Sequence, residues 1–141
     1  MIRIRFVSAA VVVVLVGGFA FLLIAFSGEA NSPDRASETP AIGALREVQS
    51  AEVRYRAIYG RYAATLSELV PPTGLIGKDL ASGTKGGYKF VITATPTGYT
   101  INANPVAFDS SGRRTFFSDQ SMAVHQNFGR DPASVSSPTL Q

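Results

Sequence analysis

The chain of 141 residues contains no cysteine and only one histidine, His125. Without cysteine there is no disulfide bond and no thiolate site for a metal ion. Histidine-dependent chemistry would rest on His125 alone, and neither a second ligand at metal spacing nor a nucleophile with its base accompanies it. We therefore interpret His125 as an exposed structural residue. The sequence predicts no enzyme, no cofactor and no catalytic, cofactor-binding or metal-binding residue.

The excess of positive over negative charge is also small. The net charge is +3 and the basic residues are scattered, whereas a nucleic-acid-binding domain presents a dense basic patch. Arg113–Arg114, close to Phe116 and Phe117, is the one place where an anion or a single strand could bind. Adjacent side chains of a strand point to opposite faces, so only one of the two arginines faces a given side. We expect no nucleic-acid partner.

A long apolar run stands near the N-terminus. Residues 6–26 include no charged side chain, and a helix of about 20 apolar residues spans the core of a bilayer. Arg3 and Arg5 precede the run, while Glu29 and Asp34 follow it. Because positive charge stays on the cytoplasmic side, we expect a single-pass anchor with the rest of the chain outside.

A cleaved signal peptide is the alternative interpretation of this run. Small residues suited to cleavage occur at 28–30. The apolar core of a signal peptide usually has about 7 to 15 residues, and this run is longer. The length favours the uncleaved anchor, and both interpretations export the same domain.

The exported part begins with a helical pattern. Thr39–Pro40 is a typical helix start, because the hydroxyl caps free amides and proline is favoured in the first turn. Glu52 and other charged residues mostly occupy the side opposite the apolar face, and Gly60 is suited to end the helix. Thr65–Glu68 has the spacing of a capping box and predicts one or two helical turns, followed by a loop over 71–87. The apolar face consists of Ile42, Leu45, Val48, Tyr55 and Ile58 or Tyr59.

Beyond Gly87 the apolar period changes to two, which is typical of half-buried strands. Residues 88–94 and 99–103 alternate on either side of the turn 95–98, and shorter strands follow near 113–118 and 122–126. The predicted fold class is α+β: an N-terminal transmembrane helix, then a long α-helix packed on a 3-4-stranded antiparallel sheet.

The predicted organisation has five parts, because polar stretches without apolar periodicity flank the folded domain. These are a short basic cytoplasmic end (1–5), the membrane anchor (6–26), a flexible linker (27–39), the exported domain (40–128) and a disordered tail (129–141).

This order of elements resembles the type IV pilins and the pseudopilins of type II secretion. The likeness covers about residues 41–127 and is carried by motifs in sequence. Tyr59–Ala63 with Leu66-x-x-Leu69 is similar to the "YGRYP-x-x-L-x-x-L" turn after the long helix of those proteins. The hairpin 87–105 is similar to their first strand pair, and Gly112–Asp119 resembles the "G-x-R-x-F-Y-x-D" strand and turn.

The N-terminus departs from that family. A prepilin has a short basic leader that ends in glycine, then phenylalanine, with glutamate as the fifth mature residue. Gly18–Phe19 offers the cleavage dipeptide, but the fifth residue from Phe19 is Leu23. Cleavage after Gly18 would also leave 19–26 as the only apolar segment, which is too short to span a bilayer.

The resemblance implies a structural or protein-interaction component of a cell-envelope filament or secretion system. The chain would sit in a bacterial inner membrane through residues 6–26, with its C-terminal domain periplasmic or extracellular. Its partners would be other pilin-like subunits or secretion-system proteins. The alternative is a non-assembling periplasmic accessory or ligand-binding module with a pilin-type head.

Some pseudopilins hold calcium in their C-terminal loops. The resemblance makes Asp79, Asp109 and Asp119 the residues to consider, but they do not form a calcium-loop pattern. Asp109 and Asp119 lie in predicted turns, where aspartate usually caps its own backbone. We predict no metal site.

Overall fold

The structure, a computed structural model, describes residues 14–16, 19–21 and 33–141. The chain forms two units, 1–30 and 31–141. In the first, strand β1 (Val14–Val16) pairs antiparallel with strand β2 (Phe19–Phe21). These six residues differ from the helix predicted over 6–26, and β-branched valine favours a strand. The rest of that span lies outside the described residues, so the membrane anchor stays a prediction. No helix among the described residues has the length and apolar character to cross a membrane.

Helix α1 spans Pro33–Tyr59 in the second unit. The predicted start at Thr39–Pro40 and the linker over 27–39 are therefore wrong for residues 33–39, which are helical. Pro33 occupies the first helical position, where proline is equally favoured. Pro40 lies inside the helix, where it removes one main-chain donor. Gly60 ends α1 as predicted, with φ of 71° and its N–H bonded to the carbonyl of Arg56 at 2.8 Å.

Two short helical segments follow α1. A 3₁₀ turn at Leu66–Leu69 confirms the predicted helical turn, but Thr65 makes no side-chain cap. Its hydroxyl instead contacts that of Ser67 at 2.9 Å. Helix α2 (Lys78–Ala81) lies inside the predicted loop 71–87 and buries Leu80 completely. One buried leucine is enough to fix this turn against the core.

A single antiparallel sheet makes up the rest of the domain. Its strands pair in chain order, each with the next. The α+β class with one long helix is confirmed, but the sheet has five strands and not three or four. The strands are β3 (Thr84–Lys85), β4 (Tyr88–Ala94), β5 (Tyr99–Pro105), β6 (Arg114–Asp119) and β7 (Val124–Phe128).

The core lies between α1 and one face of this sheet. Leu45 and Val48 of the helix are fully buried, and so are Ile101 and Phe116 of the strands. Each such side chain contributes on the order of 1.5–3 kcal/mol through removal from water. The alternation of buried and exposed residues along β4 follows the predicted period of two.

An ion pair between a buried carboxylate and a partly buried guanidinium ties the first turns of α1 to β6. Glu38 is 4% exposed and accepts hydrogen bonds from Nε and Nη2 of Arg114 at 2.8 and 2.6 Å. The other oxygen of Glu38 accepts the main-chain N–H of Arg113 at 3.2 Å. Nη1 of Arg114 donates to Gln126 on β7 at 2.6 Å. Arg113 is exposed and pairs with Asp109 at 3.2 Å. The two adjacent arginines therefore have different acidic partners.

Residues 129–141, predicted as a disordered tail, fold back over the sheet. The amides of Gln126 and Leu140 bond the carbonyls of Pro138 and Val124 at 2.8 and 2.7 Å, along the free edge of β7. Ala133 is buried, and its carbonyl accepts a hydrogen bond from Asn102 on the outer face at 3.1 Å. The polar composition concealed this order because the tail binds largely through main-chain groups, and only Ala133 and Leu140 add apolar contacts.

His125 is part of this contact. It is half-buried rather than exposed as predicted, with its Nδ1 2.7 Å from the carbonyl oxygen of Ser137. Its ring also lies edge-on to Phe117 at 6.0 Å. The histidine is a structural residue under the tail.

Replacing Glu38 by glutamine should destabilise the domain by about 1–3 kcal/mol, because it removes the counter-ion of the partly buried guanidinium of Arg114. Urea unfolding followed by circular dichroism measures the change. Glu47→Gln is the matched control: its pair with Lys85, at 3.2 Å, leaves about a third of each side chain exposed, so its loss should cost under about 1 kcal/mol. Equal destabilisation by both substitutions would contradict the role of Glu38.

Hydrogen exchange tests the order of the tail. The Leu140 amide should exchange slowly, because it donates to Val124, whereas the amide of exposed Ser136 should exchange at the rate of an unstructured chain. Backbone-resolved exchange measured by NMR compares the two in one sample. Equally fast exchange at both positions would restore the prediction of disorder.

Candidate functional site: an arginine-lined cleft over a buried glutamate

A cleft of about 340 Å³ opens where α1 ends. The segment 60–64, which leaves the helix, forms one wall, and the turn between β4 and β5 forms the other. Small-molecule sites commonly occupy clefts of roughly 300–1,000 Å³, so this one is at the lower end of that range. The lining residues are Arg56, Gly60, Arg61, Tyr62, Ala64, Ala94, Thr95, Pro96 and Thr97.

Both arginines of the cleft are held by aromatic and acidic neighbours. Arg56 donates from Nη1 to the hydroxyl of Tyr62 at 2.9 Å. Arg61 donates from Nη1 to Glu68 at 2.9 Å, and its guanidinium lies 5.3 Å from the centre of the Tyr55 ring. A guanidinium carries five N–H donors, so each arginine keeps donors beyond these contacts.

Glu68 organises the outer side of this cluster. Its Oε2 accepts hydrogen bonds from the hydroxyl of Tyr55 at 2.7 Å and from Arg61. The hydrogen bond from Tyr55, together with that from Arg61, lowers the pKa of Glu68, and the same carboxylate raises the pKa of Tyr55. The carboxylate therefore stays ionised and holds Arg61 at the mouth of the cleft.

Glu52 lies beneath the cleft and is fully buried. Its Oε2 accepts the main-chain N–H of Ala63 at 2.9 Å, while its Oε1 finds no hydrogen-bond partner in the described part of the chain. Burial raises the pKa of Glu52 to about 7, against the opposing effect of the Ala63 N–H. The buried hydroxyl of Tyr99 likewise lacks a partner among residues 33–141. Burial, and then the charge of Glu52, raise the pKa of Tyr99.

The sequence analysis placed Glu52 on the polar side of α1, which is wrong. Glu52 comes four residues after Val48 and three before Tyr55, and both of these belong to the predicted apolar face. Positions three and four apart share one face of a helix. That spacing was the available signal for a buried carboxyl group in α1.

The three aspartates considered for calcium have local partners. Asp79 pairs with Lys85 at 3.3 Å, Asp109 pairs with Arg113, and Asp119 accepts the N–H of Ser121 at 2.8 Å. Within the described ranges, no group of three or more histidine, aspartate or glutamate side chains could hold a metal ion.

No family model, characterised protein or solved structure matches this chain.

Two arginines and two threonines are among the residues that line the cleft. Their guanidinium and hydroxyl groups can donate hydrogen bonds, so the cleft suits a ligand rich in hydrogen-bond acceptors. Arg56 lies in the last turn of α1, where a positive side chain also stabilises the helix dipole. Arg56 thus supports the helix end as well as the cleft.

The buried carboxyl of Glu52 should make stability depend on pH. Its pKa rises from 4.5 in the unfolded chain to about 7 in the fold, so the folded state holds the proton more tightly. The stabilisation is complete below about pH 4.5 and is lost as the pH rises through about 7, a change on the order of 3 kcal/mol. Urea unfolding at about pH 5 and about pH 8 measures it.

Glu52→Gln should remove most of this pH dependence, because the amide keeps an acceptor for Ala63 and does not ionise. Glu47→Gln, at a partly exposed position of the same helix, should leave it unchanged. If the glutamine variant at 52 shows the same loss of stability above neutral pH as the parent chain, another group is responsible.

Proposed function

We propose that this chain is a membrane-tethered, pilin-like protein with a structural or protein-interaction role in a cell-envelope filament or secretion system. The supporting observation is the order of elements in the second unit: one long helix, a short turn, a loop and then an antiparallel sheet packed on the helix. That is the order the motif resemblance implies for a pilin-type head.

The motif residues have structural tasks that support this proposal. Gly60 ends α1 in the left-handed conformation, and Tyr62 then packs its ring 4.9 Å from that of Tyr99 on β5. Leu66 and Leu69 of the following turn are buried in the core. The stretch after the helix therefore joins α1 to the sheet.

The side of α1 away from the sheet offers a surface for a second subunit. Arg46, Ser50, Val53 and Ala57 are exposed along it, and Val53 is 52% exposed despite its apolar side chain. In the proposed filament, this open face of α1 would pack against the same face of a neighbouring copy.

A second candidate is a non-assembling accessory or ligand-binding module with the same head. The cleft bounded by Arg56 and Arg61 favours this second candidate. Tyr62 and Glu68 hold the two guanidinium groups in place, and their remaining N–H groups could bind a ligand. The two candidates differ in lateral self-association, which only the first one requires.

Cysteine cross-linking tests the proposal, since the chain has no cysteine of its own. Val53→Cys should give cross-linked dimers in membranes of expressing cells, because the exposed face of α1 would meet that of a neighbour. Val91→Cys, 46% exposed on the outer face of the sheet, is the matched control and should stay monomeric.

Each failure has its own meaning. Membrane-bound protein that stays monomeric at both positions would favour the accessory module. Protein released from membranes by alkaline carbonate would refute the tether. Cross-linking of equal strength at Val53 and Val91 would indicate nonspecific collision and contradict packing through α1.

A further inference from the structure

One end of the domain combines the start of α1 with strand ends. Tyr88, at the start of β4, pairs with Pro105, at the end of β5, and Arg114, at the start of β6, pairs with Phe128, at the end of β7. Glu38 contacts Arg114, which brings the first turns of α1 to the same end. We call this the helix-start end.

Two large apolar side chains are exposed at the helix-start end. Phe128 is 74% exposed and Val106 is 62% exposed. The guanidinium of Arg114 lies 5.5 Å from the centre of the Phe128 ring, and the N–H of Val106 bonds the carbonyl of Gly87 at 2.9 Å. Both residues are thus fixed by the sheet while their side chains face outward.

Charge at this end is balanced. Arg113 pairs with Asp109 and Arg114 with Glu38, while the guanidinium of Arg130 lies 4.8 Å from the centre of the Phe108 ring. Asp131 follows Arg130 and is exposed. A contact made here would depend on apolar side chains, with the arginine stems able to lie along an apolar surface.

The short connection to the apolar run limits how far this surface can lie from a bilayer. Only residues 27–32 separate the apolar run 6–26 from Pro33, and six residues reach at most about 20 Å when fully extended. Where the apolar run spans a bilayer, the start of α1 stays within that distance of the lipid surface.

We propose that the helix-start end rests on the lipid bilayer, with Phe128 and Val106 at the boundary between headgroups and acyl chains. The inference rests on the membrane tether of the proposed function. It goes beyond that function because it assigns the docking surface and its orientation. Apolar side chains bound at such a boundary gain free energy from the area they bury there.

An exposed apolar residue at the opposite end of α1 provides a comparison. Helix α1 has 27 residues, which makes it about 40 Å long. Ile58, 63% exposed, stands at its far end, so the same orientation keeps Ile58 away from the lipid. Ile58 is the matched control for Val106.

Depth-dependent fluorescence quenching tests the proposal on the full chain. Phe128→Cys, Val106→Cys and Ile58→Cys each carry one environment-sensitive fluorophore, and the protein is reconstituted into phosphatidylcholine vesicles with a nitroxide near the headgroup. Quenching at 128 and 106 should exceed that at 58 by about two-fold or more, since apolar groups lie at the interface. Adding phosphatidylglycerol should change little, because the end carries balanced charge.

The outcomes separate the contact from the tether. Protein that floats with the vesicles but shows equal quenching at all three sites overturns the lipid contact and leaves the tether intact. Protein that fails to float overturns the tether and the contact together. Phe128→Ser should reduce quenching at the label on 106 while circular dichroism stays unchanged, and unchanged quenching in that variant would refute the part played by Phe128.

Discussion

The buried ion pair between Glu38 and Arg114 decides how the helix stands on the sheet. Two buried charges are costly to remove from water unless hydrogen bonds satisfy them. Here the carboxylate meets Arg114 and the amide of Arg113, and the guanidinium also reaches Gln126. One pair thereby connects α1, β6 and β7. These directional bonds add to the packing of the core, and Gln49 of α1 makes a further contact with Ser118 on β6.

The local patterns predicted most of the fold's elements. Gly60, the apolar face with Leu45 and Val48, and the hairpin around 95–98 appear where period and turn chemistry indicated them. The helix start was missed because Pro40 has the same signature as Pro33. Helix α2 is only four residues long and depends on Leu80 finding a place in the core, which is a tertiary effect that no local pattern contains.

The candidate site was harder to predict. Arg56 and Arg61 belong to a polar surface in the sequence, and only folding brings the β4–β5 turn against them. Glu52 was readable from its spacing, but its high pKa depends on burial beneath segment 60–64. A carboxyl group that loses its proton near neutral pH lies where helix, loop and sheet meet. The protonation of Glu52 is therefore set by the packing of the domain, whether or not a ligand binds in the cleft.

The tail changes what the sheet can do. An open strand edge is a template for aggregation, because unpaired main-chain groups recruit further strands. The amide of Gln126 and the carbonyl of Val124, on the outer edge of β7, already bond the tail. At the opposite edge β3 has only two residues. The tail therefore occupies main-chain groups on the β7 edge, whereas β3 pairs with only Tyr88 and Lys89 on the other edge. Strand addition by a second chain is thereby obstructed along β7.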